Sequence, residues 1–172
     1  TVTAHKADGT SVELMKKASS NCNLEKNSTV VIRTSDAIAT IGGRQFSSLE
    51  DAIAAAEKYG KQATITLASN VKGSFSIANT MNNGKEIILD LNGHSITAEK
   101  EGECAIIVKQ GDVRLKNGTL ESKKYAGVKF DPQAKGARVY LVNCTVNSDQ
   151  GAVCTSTATG CQIVIYGGSF TP

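Results

Sequence analysis

Apolar residues alternate with other residues in a short pattern that recurs along the second half of the chain. The pattern opens with two apolar residues separated by one position, at Leu89/Leu91, Val113/Leu115, Val139/Leu141 and Ile163/Ile165, in steps of 24, 26 and 24 residues. The same pair occurs 24 residues upstream, at Ile65/Leu67. A fixed period of this size indicates stacked repeats, so the sequence predicts five coils.

Each repeat continues with a turn and then a single apolar residue. The alternation with a period of two predicts a β-strand. The turns, Asn92-Gly93, Asn117-Gly118, Asn143-Cys144 and Gly167-Gly168, contain residue types that tolerate a positive φ. The single apolar residue follows at Ile96, Leu120, Val146 and Phe170, and one position early at Val71. Strand, tight bend and strand describe one corner of a coil.

A second apolar stretch completes each repeat, at Phe75/Ile77, Ile106/Val108, Val128/Phe130 and Val153. Two or three short strands in about 25 residues, all running in one direction, predict an all-β fold, the parallel β-helix. We expect a right-handed coil, because parallel crossovers are nearly always right-handed. A column of outward hydroxyl side chains, Ser95, Thr119, Thr145 and Ser169, falls in the register that the alignment predicts.

One short α-helix is predicted directly before the first coil, at about residues 48–59. Ser48 and Asp51 resemble a capping box, and Gly60 is a natural C-terminal stop. Its apolar face consists of Leu49, Ala52, Ile53 and Ala56. Since the terminal coil of a solenoid needs a cover, we interpret this helix as the N-terminal cap.

The repeat pattern also sets the predicted domain boundaries. Residues 44–172 form the helix-capped β-helix, with coils over about 63–172. Residues 1–43 are either a β extension or a degenerate first coil. They contain a predicted hairpin around Asp8-Gly9 and a strand pattern from Thr29 to Asp36, and a second helix near Glu13 to Ser19 is an alternative.

The strand that contains Phe170 is followed by no capping pattern in the sequence. An uncovered parallel edge is prone to pair with other chains. We therefore expect either that the chain is a piece of a longer repeat array, which we favour, or that a second chain covers this edge.

Composition and charge narrow the class of protein. The 172 residues are 40% hydrophobic but only 5% aromatic, with no Trp, which fits a narrow aliphatic interior. The net charge is +3 with acids and bases interleaved, which does not favour nucleic acid as a partner. No apolar run is long enough to span a membrane.

Five cysteines, Cys22, Cys104, Cys144, Cys154 and Cys161, are present without a CxxC pair. We therefore expect no zinc site, and we predict no metal or cofactor. Because the count is odd, at least one thiol must be unpaired within the monomer. The spacing does not decide the state of the others.

Several segments together resemble a known family. They are Ala39-TIGGRQFSSLEDAIAAAEKYG, Thr64-ITLASNV, Ile87-ILDLNGHSIT and Leu115-KNGTL. They resemble the pectin-lyase-like right-handed parallel β-helix domains of bacterial, Firmicutes-type surface and adhesin-like proteins, over about residues 38–172. The resemblance implies a secreted or cell-surface, adhesin-like protein. We expect its partner to be a glycan or another host or cell-surface ligand. It is a signature of fold rather than of activity.

Polysaccharide-cleaving relatives of this fold gather carboxylates on one outer face, either to bind calcium or to act as an acid and base pair. In the alignment Asp90 falls beside Arg114, which we interpret as a cross-coil ion pair. Asp112 aligns with Ile88, Arg138 and Gln162 and is interpreted as isolated from other carboxylates. His94 is interpreted as a turn residue with local contacts. The sequence therefore predicts no catalytic residues.

The favoured function is a non-catalytic structural or adhesin-like module of a secreted or cell-surface bacterial protein that binds glycans. Candidate glycan-contact residues are Arg114, Arg138, Tyr140 and Tyr166, because arginine and aromatic groups suit sugar rings. The alternative is that the chain is the N-terminal part of a β-helix polysaccharide lyase or glycoside hydrolase, with its catalytic coils beyond Pro172.

Overall fold

The computed structural model describes residues 37–80, 84–154 and 158–171, and the backbone alone of 2–5 and 11–14. The chain divides into two compact units, Thr1–Arg33 and Thr34–Pro172. In the first unit, β1 (Val2–His5) pairs antiparallel with β2 (Ser11–Leu14). These are the arms of the predicted hairpin. Its turn, the strand predicted from residue 29 and residues 15–19 of the alternative helix lie outside the described residues.

The second unit is built almost entirely of strands. Its elements are β3 (Ala39–Ile41), β4 (Arg44–Phe46), α1 (Leu49–Glu57), β5 (Ala63–Leu67), β6 (Val71–Lys72), β7 (Phe75–Ala78), β8 (Glu86–Asp90), β9 (Ser95–Ala98), β10 (Ile106–Gln110), β11 (Asp112–Ser122), β12 (Val128–Phe130), β13 (Arg138–Ser148), β14 (Val153–Cys154) and β15 (Gln162–Thr171). From β5 onward, the strands of the described residues pair in parallel with strands one coil away.

Two stacks of parallel strands form the walls. One stack runs β5, β8, β11, β13, β15, and the other runs β7, β10, β12, β14. The five strands of the first stack correspond to about four turns of about 25 residues each. The predicted fold class, a parallel β-solenoid with one short helix near its N-terminal part, is confirmed.

The strand register confirms most of the repeat alignment. Leu115 lies opposite Leu141, and Leu141 lies opposite Ile165. The single apolar residues after the corner stack as predicted, at Val71, Ile96, Leu120, Val146 and Phe170. So do the hydroxyl residues Ser95, Thr119, Thr145 and Ser169. The predicted second stretch also stacks, with Ile106 opposite both Phe75 and Val128.

In the second coil the predicted register of the strand before the corner is wrong by two residues. Leu115 lies opposite Leu89 rather than Leu91, so the step is 26 residues. The corner of this coil is longer because it contains the extra residues up to His94, whose N–H donates to the Leu91 carbonyl at 2.7 Å. The Leu91 N–H in turn donates to the Lys116 carbonyl at 2.8 Å. The corner absorbs the extra length, so the apolar columns on either side stay aligned.

The corners depend on residues that accept a left-handed backbone. Asn92, Asn117 and Asn143 have φ values of 50°, 57° and 51°. Gly118, next to the corner, has no room for a side chain, because a Cβ there would lie 2.3 Å from the Leu91 Cβ. The Asn-Gly pattern therefore reflects both backbone conformation and close packing between coils.

The N-terminal end of the solenoid is covered by α1, as predicted. The Ser48 hydroxyl accepts a hydrogen bond from the Asp51 N–H at 3.1 Å and caps the helix. The apolar face of the helix is buried, through Leu49, Ala52, Ile53 and Ala56. No helix in the described residues is long and apolar enough to cross a membrane.

A second covering element at this end is the hairpin of β3 and β4, which the repeat analysis did not predict. β3 pairs antiparallel with β5, with Ala39 opposite Leu67. Gly42 and Gly43, at φ 54° and 85°, form its two-residue loop. Because β3 occupies the edge of β5, the first parallel strand of this stack is paired on both sides.

The other end of the stack is formed by β15. Ile163, Ile165 and Phe170 continue the inward columns but are 40%, 48% and 39% exposed. In the preceding strand, Leu141 of the same column is fully buried. Within the described residues, the outer edge of β15 pairs with no other strand.

Candidate binding face

The outward residues of β8, β11, β13 and β15 form a grid that we call the outer face. Its four rows are Glu86, Ile88 and Asp90; Asp112, Arg114 and Lys116; Arg138, Tyr140 and Val142; and Gln162, Val164 and Tyr166. These side chains point outward because side chains alternate along a strand and the residues between them face the core. Adjacent rows are about 4.8 Å apart.

Glu86 and Arg114 form the first ion pair of the outer face. The Arg114 Nε donates to Glu86 Oε2 at 2.6 Å and its Nη2 donates to Oε1 at 2.8 Å. This bidentate geometry fixes both side chains. The hydrogen bond to Glu86 raises the pKa of Arg114 above its ordinary value. The pair links the row of β8 to the row of β11.

Asp112 and Arg138 form an equivalent pair one row further along. The Arg138 Nε donates to Asp112 Oδ1 at 2.8 Å, and its Nη2 contacts the other carboxylate oxygen. Asp112 is only 8% exposed. The hydrogen bond to this carboxylate raises the pKa of Arg138. Strands β11 and β13 are thus joined by a charged contact as well as by backbone pairing.

Asp90 is held by three donors. Its Oδ2 lies 2.9 Å from the Lys116 Nζ, and its Oδ1 accepts from the Asn92 N–H at 3.0 Å and from the Asn117 Nδ2 at 3.2 Å. Partial burial by itself would raise the pKa of Asp90. The hydrogen bonds from Lys116, Asn92 and Asn117 outweigh that effect, and the pKa is lowered. The three contacts therefore fix the carboxylate in place, where it stabilises the corner.

These contacts correct two predictions. The expected pair between Asp90 and Arg114 does not form, because Asp90 lies opposite Lys116 and Arg114 lies opposite Ile88. Asp112 was expected to be isolated and aligned with Ile88, but it lies opposite Glu86 and pairs with Arg138. The wrong partners of Asp90 and Asp112 on β8 and β11 follow from the longer corner of the second coil, which moves that row by two positions. The pair between Asp112 and Arg138 lies in the register that the alignment predicted, but it was not identified as an ion pair.

Tyr140 lies between the two arginines. The Arg114 Cζ is 4.7 Å from the centroid of its ring, and the Arg138 Cζ is 5.9 Å away. Guanidinium groups at these distances are attracted to the π-system. Three of the four candidate residues are therefore brought together, with both arginines already held by carboxylates.

Tyr166, the fourth candidate, lies on the outermost row and is 55% exposed. It lies opposite Val142, so Tyr166 is one row and one column away from Tyr140. Strand spacing and rise place the two tyrosine Cα atoms roughly 8 Å apart. The outer face thus ends in an accessible ring.

Glu86 and Lys116 contribute to the outer face, but the sequence analysis did not identify them. A signal for them was present in the order of residue types. Glu86-IILD and Asp112-VRLK both start with an acid, continue with an alternating apolar pair and end on a charged residue. Aligning the charges rather than the Asn-Gly turns would have found the register.

A separate open cleft of about 540 Å³ is lined by Lys109, Gln110, Asp131, Pro132 and Gln133. Its carboxylate is engaged locally, because Asp131 Oδ1 accepts from the Gln133 N–H at 2.9 Å. A single carboxylate within its own turn supplies neither an acid and base pair nor a set of metal ligands. The cleft therefore does not add a second chemical site.

Four cysteines in the described residues, Cys104, Cys144, Cys154 and Cys161, are free thiols, and Cys22 lies outside them. Burial raises the pKa of the Cys104 and Cys144 thiols, so these groups are poor nucleophiles. His94 lies in its corner as expected, with its carbonyl accepting from the Thr119 N–H at 3.0 Å. In the described part of the chain, no group of three or more His, Cys, Asp or Glu side chains is arranged to hold a metal ion.

Comparisons with protein-family models, with curated proteins and with solved structures find no match. The fold itself defines the class: the chain is a parallel β-solenoid protein of about four turns. The likeness to pectin-lyase-like domains rests on the sequence segments quoted above.

Proposed function

We propose that this solenoid is a non-catalytic structural or adhesin-like module of a secreted or cell-surface bacterial protein, and that its outer face binds glycans. The observation that carries the proposal is the pairing of Glu86, Asp90 and Asp112, each with a base on the next row. Carboxylates held in this way are poorly placed to exchange protons or to bind calcium. The outer face is therefore suited to rigid contact rather than to acid and base chemistry.

The composition of the outer face favours a neutral glycan over an acidic one. Three acids are matched by three bases, Arg114, Lys116 and Arg138, so the face has no net charge. Each arginine uses two of its five N–H groups on a carboxylate, and the others are left for other acceptors. Such donors suit sugar hydroxyls, while the exposed ring of Tyr166 offers an apolar surface to a sugar ring.

The proposed location outside the cell rests on the resemblance to bacterial surface proteins. A direct test is antibody labelling of intact cells that express the protein. Labelling without permeabilisation supports the proposal. Signal that appears only after permeabilisation contradicts it.

Binding is tested on a glycan array with the full chain and with two variants, Tyr166→Ala and Tyr140→Ala. We expect binding of neutral glycans, weakened about tenfold by Tyr166→Ala, which corresponds to about 1.4 kcal/mol. Tyr59→Ala is the matched control, because Tyr59 is 50% exposed but lies outside the outer face. Equal loss in the control, or no glycan binding at all, contradicts the proposal.

The lyase or hydrolase alternative requires carboxylates that are free to act. For the coils up to Pro172, catalysis is tested by incubating the same chain with a panel of polysaccharides and measuring new reducing ends and new double bonds. We expect no turnover under conditions where binding is measured. Turnover by this chain would overturn the non-catalytic assignment while leaving glycan recognition intact.

A further inference from the structure

The outer edge of β15 is a surface that the proposed function does not use. The inward columns end there with Ile163, Ile165 and Phe170, which are 39–48% exposed. In β13 the residues of the same columns, Val139, Leu141 and Val146, are at most 1% exposed. The apolar surface of the edge is thus continuous with the core.

The edge has none of the features by which free strands avoid pairing. Natural edge strands carry charges, prolines or bulges, or are very short. Gln162–Thr171 is ten residues long and contains no Asp, Glu, Lys, Arg or Pro. At the opposite end the edge of β5 is occupied by β3. The sequence of β15 therefore has the character of an interior strand.

The shape of the edge restricts what can cover it. β15 continues through a corner at Gly167 and Gly168 and pairs with β13 both before and after that corner. Tyr166 lies opposite Val142, and Gly168 lies opposite Cys144. A straight strand can follow only one arm of such an edge. A complete cover has to bend at the same place.

The interior corners indicate which kind of strand fits. The Nδ2 of a corner asparagine donates back to the preceding coil in two places, from Asn92 to the Leu67 carbonyl at 3.2 Å and from Asn117 to Asp90. A following coil with asparagine at its corner can repeat the first of these contacts, to a backbone carbonyl of β15. The second has no counterpart, because β15 has Tyr166 where β8 has Asp90. A second copy of β15 has Gly167 at the position of the corner asparagine, which offers no side chain.

We propose that the edge of β15 is a docking surface for one further coil of the same repeat, bound in parallel register. The partner is a polypeptide segment with two alternating apolar residues, an asparagine corner and then a single apolar residue. Its apolar residues cover Ile163, Ile165 and Phe170, and its backbone pairs along both arms of β15. This inference is independent of glycan binding.

The test uses the full chain and a synthetic peptide that copies Arg138–Ser148, with Cys144→Gly to match the corner of β11. Hydrogen exchange of the β15 amides is measured with and without the peptide. We expect saturating peptide to slow the exchange at least tenfold. The control peptide carries V139S, L141S and V146S, which keeps the corner but removes the apolar residues, and it should give no protection.

A second experiment tests the proposal even if the free peptide binds too weakly to be detected. The same eleven residues are joined after Thr171 through a flexible linker, which raises their effective concentration. The tethered peptide should raise the Tm of the chain by several degrees, and the tethered serine version should not. Ile165→Asp in the chain should abolish both effects.

Three outcomes overturn the proposal. The first is unchanged exchange with both the free and the tethered peptide. The second is equal protection by the serine control. The third is a chain that sediments as a dimer with β15 already protected, because this result assigns the edge to a second copy.

Discussion

The two ends of the solenoid have the same apolar columns but differ in how those columns stop. At the N-terminal end Ile65 is fully buried, because β3 pairs with the edge of β5 and α1 packs beside it. At the β15 end Ile165, in the same inward position of the coil, is 48% exposed. The coils of the parallel repeat bury one another's apolar residues, but nothing in the repeat pattern covers the apolar residues of a terminal coil. Termination takes elements with a different pattern, here an antiparallel hairpin and a helix.

The largest expected effect is the difference in stability between a charge placed in the middle of one apolar column and a charge placed at the open end of the same column. Leu115→Asp puts a carboxylate in a fully buried position in the middle of the stack. An unpaired buried charge costs several kcal/mol, which is comparable with the whole stability of about 5–15 kcal/mol of a domain. We expect Leu115→Asp to prevent folding, as measured by circular dichroism and thermal melting.

Ile165→Asp is the matched control, in the same column but at the open end. Because its side chain already reaches water, we expect a change of at most about 1 kcal/mol in the free energy of unfolding. A cooperative melt of Leu115→Asp near that of the wild type would show that this column is not the core. Equal damage by both substitutions would show that β15 is covered in solution.

A smaller effect is expected from removing apolar contacts at the capped end. Leu49→Ala truncates a fully buried side chain of α1, which should lower the free energy of unfolding by about 2–5 kcal/mol. Phe170→Ala is the comparison at the open end, where the residue is 39% exposed. Urea unfolding followed by fluorescence or circular dichroism measures both. A greater loss from Phe170→Ala than from Leu49→Ala would reverse the proposed difference between the ends.

The helix cap gives a more local probe of the same end. Ser48→Ala removes the hydroxyl that accepts from the Asp51 N–H and should cost about 1 kcal/mol. Ser47→Ala is the control, since Ser47 is exposed and lies just before the capping position. Hydrogen exchange should quicken in the first turn of α1 for Ser48→Ala only. Unchanged exchange there would mean that the hydroxyl does not hold the helix end.

The two ends also differ in how much of them the sequence revealed. The coils were predictable because apolar residues at a fixed period leave few alternative folds, and the capping helix was predictable from Ser48 and its apolar face. The β3–β4 hairpin was missed because its strands have three residues each, too short for alternation to be read. Gly42-Gly43 was its only local signal.

The outer face was only partly predictable, for a related physical reason. Its register depends on how many residues a corner holds, and a corner can absorb two extra residues without disturbing the columns beside it. Asp90 was therefore assigned to Arg114 instead of Lys116. The aromatic and arginine candidates lie in later coils with equal corners, and Arg114, Arg138 and Tyr140 come together.

The smallest expected effect concerns the charges of the outer face, which occur on its first three rows and not on that of β15. Because hydrogen bonds lower the pKa of Asp90 in the folded state, folding favours its deprotonated form. The resulting stabilisation is present above the ordinary pKa of 3.8 and is lost as the pH falls through the lowered, folded-state value. Asp90→Asn should therefore be less stable than the wild type at pH 7, and the two should converge in acid.

Chemical denaturation at a series of pH values from 7 downward measures this difference. Lys116→Met is the companion variant: it removes one of the three donors to Asp90, so the pH dependence should become shallower without vanishing. A constant difference between wild type and Asp90→Asn at all pH values would mean that the carboxylate contributes through its shape and not through its charge. In that case the charges of the ion pairs would not stabilise the outer face. The difference between the charged inner rows and the uncharged row of β15 would then not affect the free energy of unfolding.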